Sequence, residues 1–280
     1  MLKIKKVLVV SFFAVFFISV SIAAQNSKSS SEGTLELDAY RLQSRIDVAE
    51  ITDDLSGLTF NPLTQSLFAV TNAPELLLEM TLEGDVKRVI PLLGFEDTEG
   101  ITHIEGNRFA IVEERKRQVV FIEIDGRTTE IKREHCEGYA LALQGESNKG
   151  LEGIAWSKNL GILIAKEDEP EQLYHFDQQL QVGNYLSSFL NHSKQRGRLG
   201  DVAGLHSLAN GNTLFLSEES RLLLELSVTG EVLSSKSFEY DPFGIFYYIR
   251  QPEGVTMADD GRLYIVSEPN QLFIFEKPKG

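Results

Sequence analysis

From about residue 35 onward, apolar residues fall in short alternating runs that turn residues interrupt. Few stretches keep the three-to-four-residue spacing of an amphipathic helix. Short strands punctuated by turns predict a sandwich, a barrel or a propeller. An internal repeat decides among these. The unit Ser56-Gly57-Leu58 returns as Glu99-Gly100-Ile101, Glu152-Gly153-Ile154, Ala203-Gly204-Leu205 and Glu253-Gly254-Val255. Its glycines recur about every 50 residues, the length of a four-stranded propeller blade. A two-sheet sandwich leaves that period unexplained.

Each repeat continues in the same order. A first strand follows the glycine: LTF, ITHI, IAW, LHSL and VTMA. Then comes a turn, as at Asn61-Pro62, Glu105-Gly106-Asn107, Lys158-Asn159, Asn210-Gly211-Asn212 and Asp259-Asp260-Gly261. Gly and Asn tolerate the positive φ such hairpins need. Second strands follow (SLFAVTN, RFAIVEE, GILIAKE, TLFLSEE, RLYIVSE), then third strands (LLLEMTL, VVFIEID, LYHFD, LLLELSV, LFIFE). A fourth is visible in VKRVIPL and EVLSSKSF. The last repeat stops after its third strand at Phe275-Glu276, while Tyr40–Val48 reads as an orphan fourth strand. The expectation is an all-β propeller over residues 35–280, with five four-stranded antiparallel blades and a ring closed by the N-terminal strand. A sixth blade would require the insertions at 135–150 or 183–200 to hide strands. Neither carries a blade's worth of apolar pattern.

Ahead of the repeats, residues 1–6 hold Lys3, Lys5 and Lys6, and residues 7–24 carry no charge. A basic stub before an apolar run reads as a signal sequence, with a small-residue cleavage site at Ser21-Ile22-Ala23. The run also reaches the lower limit for a membrane-spanning helix, so residues 1–24 are a signal or an anchor. A cytoplasmic basic stub places the remainder outside the cytoplasm in either case. Residues 25–34 (QNSKSSSEGT) read as a polar tether.

Lining up the repeats also lines up acids. The ends of the second strands hold Asn72, Glu114, Glu167, Glu218 and Glu268. The position before each repeat glycine holds Ser56, Glu99, Glu152, Ala203 and Glu253. Two residues ahead of that position stand Asp54, Asp97 and Asp201. In an antiparallel hairpin the start of one strand and the end of the next share an edge. First strands are innermost in a propeller. Both sets should therefore meet around one mouth of the central channel. Crowded carboxylates repel, so they take up protons or hold a cation. Calcium is the cation that suits an all-oxygen set, since it takes six to eight oxygen ligands. The candidate metal ligands are Glu99, Glu114, Glu152, Glu167, Glu218, Glu253, Glu268 and Asn72. In the competing reading these acids accept backbone N–H groups and tie blades together.

Composition narrows the function further. The chain carries 41 acidic against 27 basic residues, a formal net charge of −14, which argues against a nucleic-acid partner. Cys136 is alone, so no intrachain disulfide or CxxC site exists. His103, His135, His175, His192 and His206 show no metal-ligand spacing, which disfavours zinc and copper. Trp156 reads as an inter-blade packing residue, and the Asn191-His192-Ser193 sequon carries little weight.

The ordered set GFEDTEGITHI, FAIVEERKRQ, KGLEGIAW, LFLSEESRLLLEL, PEGVTM and LYIVSEPN resembles the SdiA-regulated or YjiK-like β-propeller proteins of the bacterial envelope. The similarity covers residues 40–276. It implies a propeller, a place in the periplasm, free or anchored to the inner membrane, and a link to calcium, and it supplies no catalytic residues. Ala203 and Ser56 depart from the glutamate of the other repeats, so two or three ligating blades are expected rather than five.

Three functions compete. The first is a cation-binding envelope protein that senses or scaffolds, with a small ligand or another envelope protein as partner. The second is a calcium-dependent hydrolase of phosphatase or lactonase type, in which Arg115, Lys166 and Arg221 contact an anionic substrate. No G-x-S-x-G nucleophile motif supports it. The third is a protein-interaction platform whose acids are structural.

Overall fold

The computed structural model describes residues 33–52, 54–141, 150–166, 172–176, 182–183, 200–239 and 248–278. The predicted signal or anchor and most of the tether lie outside these residues, as do Glu167 and the Asn191 sequon.

The described chain forms five antiparallel sheets arranged as blades. Strand β1 (Arg41–Asp47) precedes blade 1, which comprises β2 (Leu55–Asn61), β3 (Ser66–Asn72), β4 (Glu75–Met80) and β5 (Val86–Leu93). Blade 2 has β6 (Thr98–Glu105), β7 (Arg108–Glu113) and β8 (Gln118–Glu123). Next, β9 (Ile131–Lys132) leaves to pair in parallel with β5, and β10 (Glu137–Ala140) returns as the outer strand of blade 2. Blade 3 is β11 (Leu151–Ser157), β12 (Gly161–Lys166), β13 (Gln172–Phe176) and β14 (Val182–Gly183). Blade 4 is β15 (Gly204–Ser207), β16 (Thr213–Ser217), β17 (Leu222–Leu226) and β18 (Val232–Ser237). Blade 5 is β19 (Pro252–Met257), β20 (Leu263–Ser267) and β21 (Gln271–Glu276). β1 completes it, pairing from Arg41↔Glu276 to Asp47↔Gln271. The predicted closing strand is thus in place. The start of the 135–150 insertion turns out to be blade 2's own fourth strand.

The second strands are apolar without interruption because both of their faces are covered. Alternate residues pack against opposite neighbours. Phe68 and Val70 of blade 1 meet Ile101, Phe109 and Ile111 of blade 2. Leu67 and Ala69 meet Tyr264 and Val266 of blade 5. Five such inter-blade cores close the circle, and Trp156 packs against the one between blades 2 and 3.

The repeat glycine has a steric cause. A Cβ on Gly57 would lie 2.6 Å from the Glu99 carbonyl oxygen, on Gly204 2.8 Å from that of Glu253, and on Gly254 2.7 Å from that of Ser56. On Gly100 and Gly153 it would meet the carbonyls of Glu152 and Ala203. Each glycine abuts the residue before the next blade's glycine, all the way round. At Gly57, Gly100, Gly204 and Gly254 the innermost strands approach too closely for a Cβ, and at Gly153 the contact is tight. Two residues further in, hydroxyls link the blades. Thr59 accepts the His103 N–H at 3.0 Å, Thr102 that of Trp156 at 3.0 Å, and Thr256 that of Phe60 at 3.1 Å.

Candidate functional site

The inner hairpins bring the aligned positions to one edge, as the strand directions require. Leu55 pairs with Thr71, Thr98 with Glu113, Leu151 with Lys166 and Pro252 with Ser267. In each of these blades the register slips at the glycine, a bulge that re-aims the residues flanking it. Backbone bonds fix the second-strand ends to the first-strand entries. Asn72 N–H donates to the Asp54 carbonyl at 3.2 Å, Glu114 N–H to that of Asp97 at 2.9 Å, and Glu268 N–H to that of Gln251 at 3.1 Å.

Blade 2 concentrates the acids. One carboxylate oxygen from each of Asp97, Glu99 and Glu114 falls within 4.8 Å of the others. Asn72 of blade 1 joins them, donating its Nδ2–H to Glu99 Oε1 at 2.8 Å. Gly150 of blade 3 donates its N–H to Glu114 Oε1 at 2.9 Å. A Cβ there would lie 2.5 Å from the Glu114 carbonyl oxygen, so glycine is required for this approach.

Desolvation dominates the electrostatics, and neighbouring acids add to it. Burial pushes Glu114 up to about 8, with a carboxyl–carboxylate contact to Asp97 and the charge of Glu99 acting in the same direction. Burial also raises Glu99 above the carboxylate range; hydrogen bonds from Asn72 and Ser56 oppose it, and the charges of Asp97 and Glu268 reinforce it. Glu253 rises to about 9, through burial and then the charges of Glu268, Glu218, Glu99 and Asp201. These mutual influences cross blades 2, 4 and 5, so Glu99, Glu218, Glu253 and Glu268 belong to one electrostatic array. Glu152 occupies the matching backbone position of blade 3, its carbonyl lying against Gly100, but it stands outside the blade 2 triad.

Asp97 was visible in the sequence only as an offset from the repeat glycine, yet it is central here. Its Oδ2 is buried and receives no aligned hydrogen bond, while Arg115 Nε stands 3.0 Å away as an ion-pair partner. Asp201, at the same offset in blade 4, does something else. It accepts the backbone N–H groups of Glu218 and Glu219 and the Ser217 hydroxyl, so it caps a turn.

Other acids are structural. Glu113 is fully buried, paired with Arg133 at 2.7 Å and Lys116 at 3.3 Å. Glu79 is held by Lys87 and Arg88, and Glu225 accepts from Leu35, Asn212 and Ser234. The described histidines stay apart from the triad. His103 packs edge-on against Phe109, and burial pushes His206 down to about 4, neutral beside Thr256.

A sequence profile of the SdiA-regulated family matches residues 33–276. The chain belongs to the SdiA-regulated family. Among solved structures, a luciferin-regenerating enzyme matches this family member with a TM-score of 0.52 at 14% identity, over 83% of this chain and 94% of that one. A streptogramin B lyase matches with a TM-score of 0.50 at 10% identity, over 85% and 98% of the two chains. At such identities the likeness concerns the fold alone. The site of this SdiA-regulated propeller has to be read from its own residues.

The donor set fits a hard divalent cation. Its side-chain groups are carboxylates and one amide, with neither imidazole nor thiol among them. The buried Oδ2 of Asp97 receives no aligned hydrogen bond, and its cationic neighbour is the largely exposed Arg115.

Proposed function

We propose that this protein binds a divalent cation, calcium by the chemistry of its ligands, at the channel mouth formed by Asp97, Glu99 and Glu114 with Asn72. The reading rests on the convergence of three carboxylates within 4.8 Å in a site that keeps them poorly solvated. A cation there would relieve both the repulsion and the desolvation that raise Glu99 and Glu114. Glu268 and Glu218, whose charges help to raise Glu253, supply further negative potential, which concentrates cations at the mouth. The physiological role that follows is a cation-dependent binding or sensing protein of the cell envelope. The basic stub and apolar run of residues 1–24 support export.

Ligand linkage supplies the test, because a cation that binds the folded state must stabilise it. Millimolar calcium should raise the midpoint of thermal unfolding relative to EDTA. The double variant Asp97→Asn, Glu99→Gln should abolish that rise without lowering the midpoint in EDTA. A wild-type midpoint indifferent to calcium would falsify the reading.

A further inference from the structure

We propose that Arg115 is the internal counter-ion of the Asp97–Glu99–Glu114 site, and that an entering divalent cation displaces it. The proposal rests on the cation reading above and adds what sets the affinity.

Arg115 directly follows Glu114, in the turn that the Arg117 N–H closes onto the Glu114 carbonyl at 2.9 Å. Its Nε lies 3.0 Å from Asp97 Oδ2, the same buried oxygen that lacks an aligned hydrogen bond. The two partners differ sharply in environment. The arginine side chain is 71% exposed and that of the aspartate 10%. The next residue, Lys116, is committed elsewhere, to Glu96 at 3.2 Å and Glu113 at 3.3 Å. In the other described blades the residue following the mouth position is Ala73, Glu219 or Pro269. Among these, only the blade that gathers three carboxylates carries a cation beside them.

The geometry of this pair suits exchange. A guanidinium that grips a carboxylate for good does so with two parallel N–H bonds. Here the guanidinium comes within 3.0 Å of the buried oxygen without making an aligned hydrogen bond to it. Because the arginine stands largely in water, its hold on the buried carboxylate is weakened by solvent and screened by salt. It offsets part of the repulsion at the mouth, yet it leaves Asp97 available to a doubly charged competitor. When that competitor binds, the guanidinium swings out, and like-charge repulsion keeps it away. Arg115 thereby weakens calcium binding by a set amount.

The experiment is calorimetric titration of the whole protein with calcium chloride, for wild type, Arg115→Ala and Arg115→Lys, at low and high potassium chloride. Arg115→Ala should bind calcium about three- to tenfold more tightly at low salt, and this gain should shrink at high salt. Arg115→Lys, which keeps the charge, should stay within about twofold of wild type. Weaker binding by Arg115→Ala would mean that the arginine holds Asp97 in position, and equal binding that it is a bystander. Either result overturns the exchange while leaving the cation site standing. Absence of calcium binding in all three proteins overturns the cation reading itself, and the exchange with it.

Discussion

At the scale of single residues, the mouth stores unfavourable electrostatics that pH can release. Glu253 titrates near 9 in the folded protein, against 4.5 for an ordinary glutamate. Between those values the folded state holds a proton that the unfolded chain has lost. Stability therefore falls as pH rises through this window, by at most about 1.4 kcal/mol per pH unit for one proton. Glu253→Gln removes that group's share. Urea titrations in EDTA should show the variant gaining on wild type as pH rises towards 9, with the two converging in acid. Residues are also where sequence reading succeeded and failed. Glu99 and Glu114 were legible because the repeat aligns them. The adjacent Glu113 is a glutamate too, but it is fully buried, and its partner Arg133 lies on a strap outside the repeat pattern. Gly150 was invisible too, since a glycine that serves the neighbouring blade's glutamate leaves no mark in its own repeat.

At the scale of elements, the inner strand does two jobs with one bulged motif. The glycine lets five strands crowd the axis, and the slip in register beside it turns the flanking residues towards the mouth. Gly254→Ala should therefore injure fold and site together. Its Cβ would sit 2.7 Å from the Ser56 carbonyl oxygen and from Leu58 N, both backbone atoms that cannot rotate away. Overpacking of this kind costs about 1–3 kcal/mol or more. Denaturant unfolding should record that loss, and calcium affinity should fall as Glu253 and Ser56 move apart. Strand order and blade count were readable because hydrophobic runs and turn residues keep one sequence through all repeats. The parallel addition of β9 to blade 1 was not readable, because two residues carry too little pattern to announce a strand.

At the scale of the whole molecule, stability depends on the circle being complete. Each inter-blade core needs both of its neighbours, and blade 5 obtains its outer strand from the other end of the chain. The segment before β1 reinforces that closure. Leu35 N–H donates to the buried Glu225 at 2.8 Å, Lys236 reaches the Tyr40 carbonyl at 3.0 Å, and Leu37 sits in the core between blades 4 and 5. A protein beginning at residue 48 should lose this strap and leave β21 as an open edge, a template for other chains. Size-exclusion chromatography of that truncation should show soluble aggregates where the full domain elutes as a discrete species. The same closure has a mechanical side. Because β1 and β21 are antiparallel, Arg41 and Glu276 lie side by side, and the chain leaves the blade in both directions from that one point. Tension applied to the two ends would first free the segment from Leu35 to Tyr40 and then part the pair like a zipper, one hydrogen bond at a time, instead of shearing all of them at once. A ring closed by five packed cores would thus be opened by a gentle pull along its own seam.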